Sequence, residues 1–263
     1  MFHILVNIIV PIIAGSIFFI LAWYIKKIGP MRTLVTGEKT YRWAFWGFLF
    51  FGIYLASRPL QIFLGPHPMP LIVNNIREFF MIGLFAPAVF IAMMSFVYGS
   101  NKIIKQFVYG MFGFSVILAL IFVVTNVFAI GGSKAIFTVG SVTAYDGLWF
   151  ANPNGDVREL MKVLFAIRFI NPVLLITIAG CIVLWRAFHY PPEKMRIYNN
   201  IPRKQILLAI ANFSFSLSMF MVGIIYLLGH IPNQWWIYYV GAMLSGILEA
   251  ISLSLPVRRK VEV

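Results

Sequence analysis

The chain has 263 residues, 61% of them hydrophobic and 11% charged, with a mean hydropathy of +0.89. A soluble domain carries roughly a quarter charged residues, so this composition excludes one of this length and describes an all-α polytopic integral membrane protein. The 21 Lys and Arg against 8 Asp and Glu lie between apolar runs rather than along an aromatic-interleaved groove, so the expected partner is the lipid bilayer and not nucleic acid.

The N-terminus, MFHILVNIIVPIIAG, has no basic leading region and no cleavage site, and reads as a first membrane helix rather than a cleaved signal. Membrane helices need about 20 mostly apolar residues. Seven stretches qualify, at 4–25, 43–65, 77–99, 107–131, 160–188, 206–229 and 235–256, all within one domain spanning 1–263. The connection 132–159 contains FTVGSVTAY, which alternates as a strand does, and the turn cluster NPNGD. It suits a hairpin cap and an irregular outer loop equally.

Charge orients the helices. Lys26, Lys27, Arg32, Lys39, Arg42, Lys102, Lys105, Arg186, Lys194, Arg196, Arg203, Lys204, Arg258, Arg259 and Lys260 fall on one side, 15 of the 21 basic residues. The positive-inside rule then puts the N-terminus outside and the C-terminus in the cytoplasm, as expected for a prokaryotic inner membrane. The pairs Pro11 and Pro172, Trp23 and Trp185, His67 and His230 recur at offsets of 161–163, but so few identities read as chance agreement between apolar triplets.

Ionisable groups within hydrocarbon are costly and point to function unless they are paired or wet. Arg58 lies 16 residues beyond Arg42, roughly 24 Å along the helix, and Arg168 lies at a similar outer depth. Asn126 and Asn171 fall in the same outer third, as does Asn7, and Arg77 with Glu78 caps the third stretch. Two readings stand for Arg58 and Arg168: snorkelling to the headgroups, or a vestibule where guanidiniums grip one anionic group bidentately. Arg77 is expected to snorkel while remaining on the pocket rim, and Glu78 to rest against one of the other arginines. His67 and His230 would sit on that rim as solvated side chains. Near the opposite end, Glu249 follows the small-residue stripe Gly241 and Ser245, at the depth of Asn212. A Glu249–Asn212 hydrogen bond is expected if the two faces meet, as polar packing or as a coupling switch.

No catalytic set is present: the sequence has no HExxH, no Walker loop and no GxSxG. The scattered histidines offer no facing pair for a haem, the last helix has no lysine for a retinal Schiff base, and Cys181 lies inside an apolar run. No enzyme activity, metal or cofactor is therefore expected. The leading expectation is a seven-helix sensor or receptor module. Its outward polar pocket of Arg58, Arg77, Glu78, Asn126, Arg168 and Asn171 would take a small anionic or amphipathic molecule or lipid. The tail SLPVRRKVEV would lead to a cytoplasmic effector or partner chain. The rivals are a solute or ion transporter built as 3+1+3 helices, bending at Pro11, Pro59, Pro87 and Pro172, and a non-catalytic subunit of a larger complex.

The topology has a direct test. With Cys181 replaced by alanine, single cysteines at Lys39, Lys102 or Arg196 should react only with cytoplasmic label, and one at Pro153 only with external label. External labelling at Arg196 would overturn the orientation.

Overall fold

The computed structural model describes residues 2–36, 38–66, 68–98, 102–126, 132–148, 157–191, 200–229 and 235–255. Helix α1 opens with Phe2–Ile4, widens into a π-helical stretch at Leu5–Ile9 and continues as Val10–Thr36. Helix α2 is Glu38–Ala56 and the short α3 is Arg58–Phe63. Helix α4 combines Met69–Phe79, a π-helical stretch Phe80–Phe85 and Ala86–Tyr98. Then follow α5 (Lys102–Thr125), β1 (Gly132–Val139), β2 (Val142–Leu148), α6 (Val157–Phe188), α7 (Ile201–Gly229) and α8 (Trp235–Ser254).

Six of these, α1, α4, α5, α6, α7 and α8, contain a run long and apolar enough to cross a membrane. The chain is an integral membrane protein of helical type. The stretch expected at 43–65 is not among the six. Helix α2 starts on the charged Glu38–Arg42 segment and stops at Ala56, and α3 begins after a turn at Ser57. Pro59 explains the break, because it lacks an N–H and its ring clashes with the carbonyl four residues back.

Prolines also account for the two π-helical stretches. Pro11 and Pro87 would each meet the carbonyl four residues earlier, at Asn7 and Gly83, and both residues lie inside the widened turns. One extra residue per turn opens the backbone there, shown by Val10 N–H bonding to Leu5 O and Ala86 N–H to Met81 O. Other boundaries exceed the apolar stretches. Helix α1 runs on to Thr36 through the expected connection, since a helix satisfies its own backbone in water as in lipid. Helix α4 starts at Met69 rather than 77, with Pro70 in its first turn, where a missing N–H costs nothing.

The helices close into a ring. Helix α1 packs on α2 and α8, α2 on the second half of α4, α4 on α5 and α6, α6 on α7, and α7 on α8. An aromatic cluster fills its centre. Phe51 of α2 stacks on Phe85 of α4 at 4.0 Å between centroids and meets Phe18 of α1 edge-on at 4.6 Å and Phe215 of α7 at 5.1 Å. Tyr238 of α8 joins them at 6.4 Å from Phe51 and 6.1 Å from Tyr54. Offset and edge-to-face pairs of this kind stabilise beyond the area they bury.

Strands β1 and β2 form an antiparallel hairpin with Lys134 opposite Asp146 and Val139 opposite Val142. Gly140 adopts φ 59° in the two-residue turn, the left-handed conformation such hairpin turns need. The hairpin lies against α3 and the first turns of α4, so it covers one end of the bundle. The NPNGD cluster, His67 and His230 fall outside the described residues.

Helices α7 and α8 approach closely where the small-residue stripe meets Ser218. A Cβ added at Gly241 would overlap the Ser218 side chain, whereas one at Gly113 on α5 would meet nothing within 4 Å. Gly241→Ala should therefore cost about 1–3 kcal/mol through overpacking, read as a lower unfolding temperature in detergent. Gly113→Ala should leave that temperature unchanged or slightly raised.

Candidate functional site

The break between α2 and α3 is where the polar site begins. The Tyr54 carbonyl, at the end of α2, accepts hydrogen bonds from Ser57 Oγ at 3.1 Å and from Arg77 Nε at 3.0 Å. Arg77 Nε also reaches Ser57 Oγ at 3.1 Å, Arg77 Nη1 donates to Gln61 Oε1, and the guanidinium lies 4.7 Å above the Tyr54 ring. Arg77 is 4% exposed, so the expected snorkelling does not occur. The physical reason is that Ser57 and Pro59 end a helix beside it, and the turn supplies acceptors that a continuous helix would withhold.

Arg58, at the first position of α3, sends its fork toward the hairpin. Nη1 and Nη2 donate to Asp146 Oδ1 and Oδ2 at 2.6 and 2.7 Å, and Nη2 also reaches Asn7 Oδ1 at 2.9 Å. Gln61, three residues on and on the same face of α3, donates to Asp146 Oδ1 at 2.8 Å. Asn7 sits in the widened turn of α1 and donates to the His3 carbonyl at 3.0 Å. The Asp146 carboxylate thus takes both of its partners from α3, and α1 and α4 join them indirectly, Asn7 through Arg58 and Arg77 through Gln61. A bidentate, charge-assisted arrangement of this kind is among the stronger polar contacts available to a side chain.

Arg168 lies deeper and is fully buried. Its Nε pairs with Glu78 Oε2, and its Nη2 donates to Tyr54 Oη at 2.9 Å. Arg58, Arg77, Glu78 and Arg168 therefore belong to one connected network, joined through Gln61 and Tyr54. Glu78 is the resting partner expected for an arginine, and that arginine is Arg168. Asn126 and Asn171 sit beside the network rather than in it. Asn126 Nδ2 donates to Asn75 Oδ1 at 2.6 Å, tying α5 to α4, and Asn171 Nδ2 donates to Ser115 Oγ at 3.2 Å, tying α6 to α5.

Near the opposite end, Glu249 and Asn212 are both buried, on α8 and α7. The expected hydrogen bond between them is not formed: Glu249 Oε2 and Asn212 Nδ2 have no partner among the described residues. Instead Ser252 Oγ, one turn from Glu249, joins the two helices by donating to the Lys204 carbonyl at 3.0 Å.

Reading the sequence alone missed Asp146, Gln61, Tyr54, Ser57 and Asn75. One signal pointed to Gln61, its spacing from Arg58 on a helical face. Asp146 is one of only 8 acids and sits in a segment with strand-like alternation, but its partner is 88 residues away in sequence. Among the described residues no group of three or more His, Cys, Asp and Glu is placed to hold a metal.

No family model matches the chain, and no curated protein matches it. Among solved structures the chain is similar to the crystal structure of squid rhodopsin, with 13% identity over 97% of this chain and 80% of that one and a TM-score of 0.44.

The Arg168–Glu78 pair yields a cycle of variants. Glu78→Gln alone leaves Arg168 buried without its countercharge and should cost about 3–5 kcal/mol, whereas E78Q combined with R168Q should cost less than the sum of the singles. Arg168→Lys should rescue poorly, because Glu78 and Tyr54 engage different arms of one guanidinium. Thermal unfolding of these four variants against wild type checks both points, and strict additivity would show that the pair is not coupled.

Proposed function

We propose that the protein is a seven-helix membrane sensor or receptor module that takes a small anionic or amphipathic ligand at its hairpin end. The observation carrying this reading is the mode of hairpin attachment. Asp146 holds the hairpin to the bundle through the fork of Arg58, and an anionic group from outside competes for the same fork with the same geometry. With the N-terminus outside, as the distribution of Lys and Arg argues, the hairpin faces the medium and the competing group has access to Asp146, whose side chain is 17% exposed.

The route inward runs through Tyr54. Its carbonyl and ring engage Arg77, its hydroxyl accepts from Arg168, and its ring packs edge-on against Tyr238 of α8. Loosening the hairpin shifts Gln61 and hence Arg77, and Tyr54 passes that shift to the helix that precedes the basic tail. A contiguous network supports such coupling, and only a measured two-state response establishes it.

Asp146→Asn tests the reading without a known ligand. It removes the charge from a bidentate pair, so amide hydrogen exchange in β1 and β2 should quicken by about ten- to a hundredfold. Exchange around Tyr238 and Tyr239 should change as well. A change confined to the hairpin would sink the relay, leaving the hairpin as a passive cover.

A further inference from the structure

The polar network does not balance in charge. Arg58, Arg77 and Arg168 contribute three positive charges, and Asp146 and Glu78 contribute two negative ones. The two carboxylates are taken, Asp146 by Arg58 and Glu78 by Arg168. Arg77 is left with neutral acceptors: the Tyr54 carbonyl, Ser57 Oγ and Gln61 Oε1. Its Nη2 is buried with no hydrogen-bond partner among the described residues. A buried charge satisfied only by neutral groups is costly, and a buried donor left unmade adds to that cost.

A second unused donor lies close by. Asn74 precedes Arg77 by three residues on α4, which places the two side chains on one helical face, and both residues are 4% exposed. Asn74 Nδ2 likewise has no partner among the described residues. Arg58 Nε is also buried with no hydrogen-bond partner among the described residues. Two buried donors without partners on one helical face, beside one uncompensated positive charge, suit an anion.

We infer that Arg77 Nη2 and Asn74 Nδ2 bind one small monoanionic group, a carboxylate or a phosphodiester, beneath the Arg58–Asp146 contact. The charge count selects the class: one negative charge neutralises the network, whereas a dianion would overcompensate it inside hydrocarbon. This deepens the sensor reading and rests on it only for the direction from which the anion arrives.

The test uses the whole chain purified in uncharged detergent, with thermal unfolding as readout. One arm adds sodium acetate as the free monoanion, with ionic strength matched by a bulky anion; the other adds phosphatidylglycerol against phosphatidylcholine as the lipid source. Wild type should be stabilised in at least one arm, and the arm that responds names the source. Asn74→Ala should unfold without anion at the wild-type temperature or above, because it deletes a donor that has no partner, while its apparent affinity falls about tenfold. Arg77→Gln should lose the response altogether. Equal stabilisation of wild type and both variants would overturn the site, and so would the absence of any response in wild type, the donors then being hydrated. Exchange at Tyr238 in Asp146→Asn reads the relay separately, so binding at Arg77 without a relay leaves the site standing and removes the sensor.

Discussion

A guanidinium in the interior of a membrane bundle is costly without an opposite charge, and the buried pair of Arg168 with Glu78 offsets that cost. Much else is arranged around it. Glu78 must lie on α4 facing α6, and Tyr54 must end α2 where its hydroxyl can take the second arm of Arg168. Three helices are thereby set in depth and rotation relative to one another. Apolar packing alone, which tolerates sliding between similar faces, would not do this. The adjacent Arg77 reaches the broken end of α2 and, through Gln61, draws α3 into the same arrangement.

Tyr54 is the joint between the polar and the aromatic parts of the interior. Arg77 lies over its ring and Arg168 donates to its hydroxyl; beside it lies Phe51, parallel at 6.0 Å and central to contacts from α1, α4, α7 and α8. The polar network therefore adjoins a closely packed aromatic layer. The opposite end is built differently, with a backbone-directed bond from Ser252 and a buried Glu249 whose Oε2 has no hydrogen-bond partner among the described residues.

Much of this was legible in the sequence, for physical reasons that can be named. Hydrocarbon requires long apolar runs, so six of the expected spans stand out as helices. Charge in hydrocarbon requires partners, so Arg58, Arg168 and Glu78 stood out in the sequence, and all three are paired in the fold. Arg77 was misjudged because its position near the end of an apolar stretch suggested access to headgroups. In fact α4 extends back to Met69 and carries Arg77 a further two turns inside. Asp146 could not be found from local pattern, since nothing in a strand sequence states which helix the strand will cover. The Ser57 break was signalled by Pro59, but a proline in a helix can kink it, widen it or end it. At Pro11 and Pro87 the turn widened; at Pro59 the helix stopped.

The widened turn at Phe80–Phe85 fixes an angular phase. Each α-helical residue advances the side-chain direction by about 100°, so the extra residue accommodated there offsets the faces on either side by roughly that amount. Asn74, Arg77 and Glu78 stand on one side of this offset and Phe85, Val89 and the rest of the apolar half on the other. A single-residue deletion within Phe80–Phe85 would restore regular winding and rotate the ionic face away from Tyr54 and Arg168 while the apolar half kept its place. The length of that turn is thus part of the site, although none of its own side chains carries a charge.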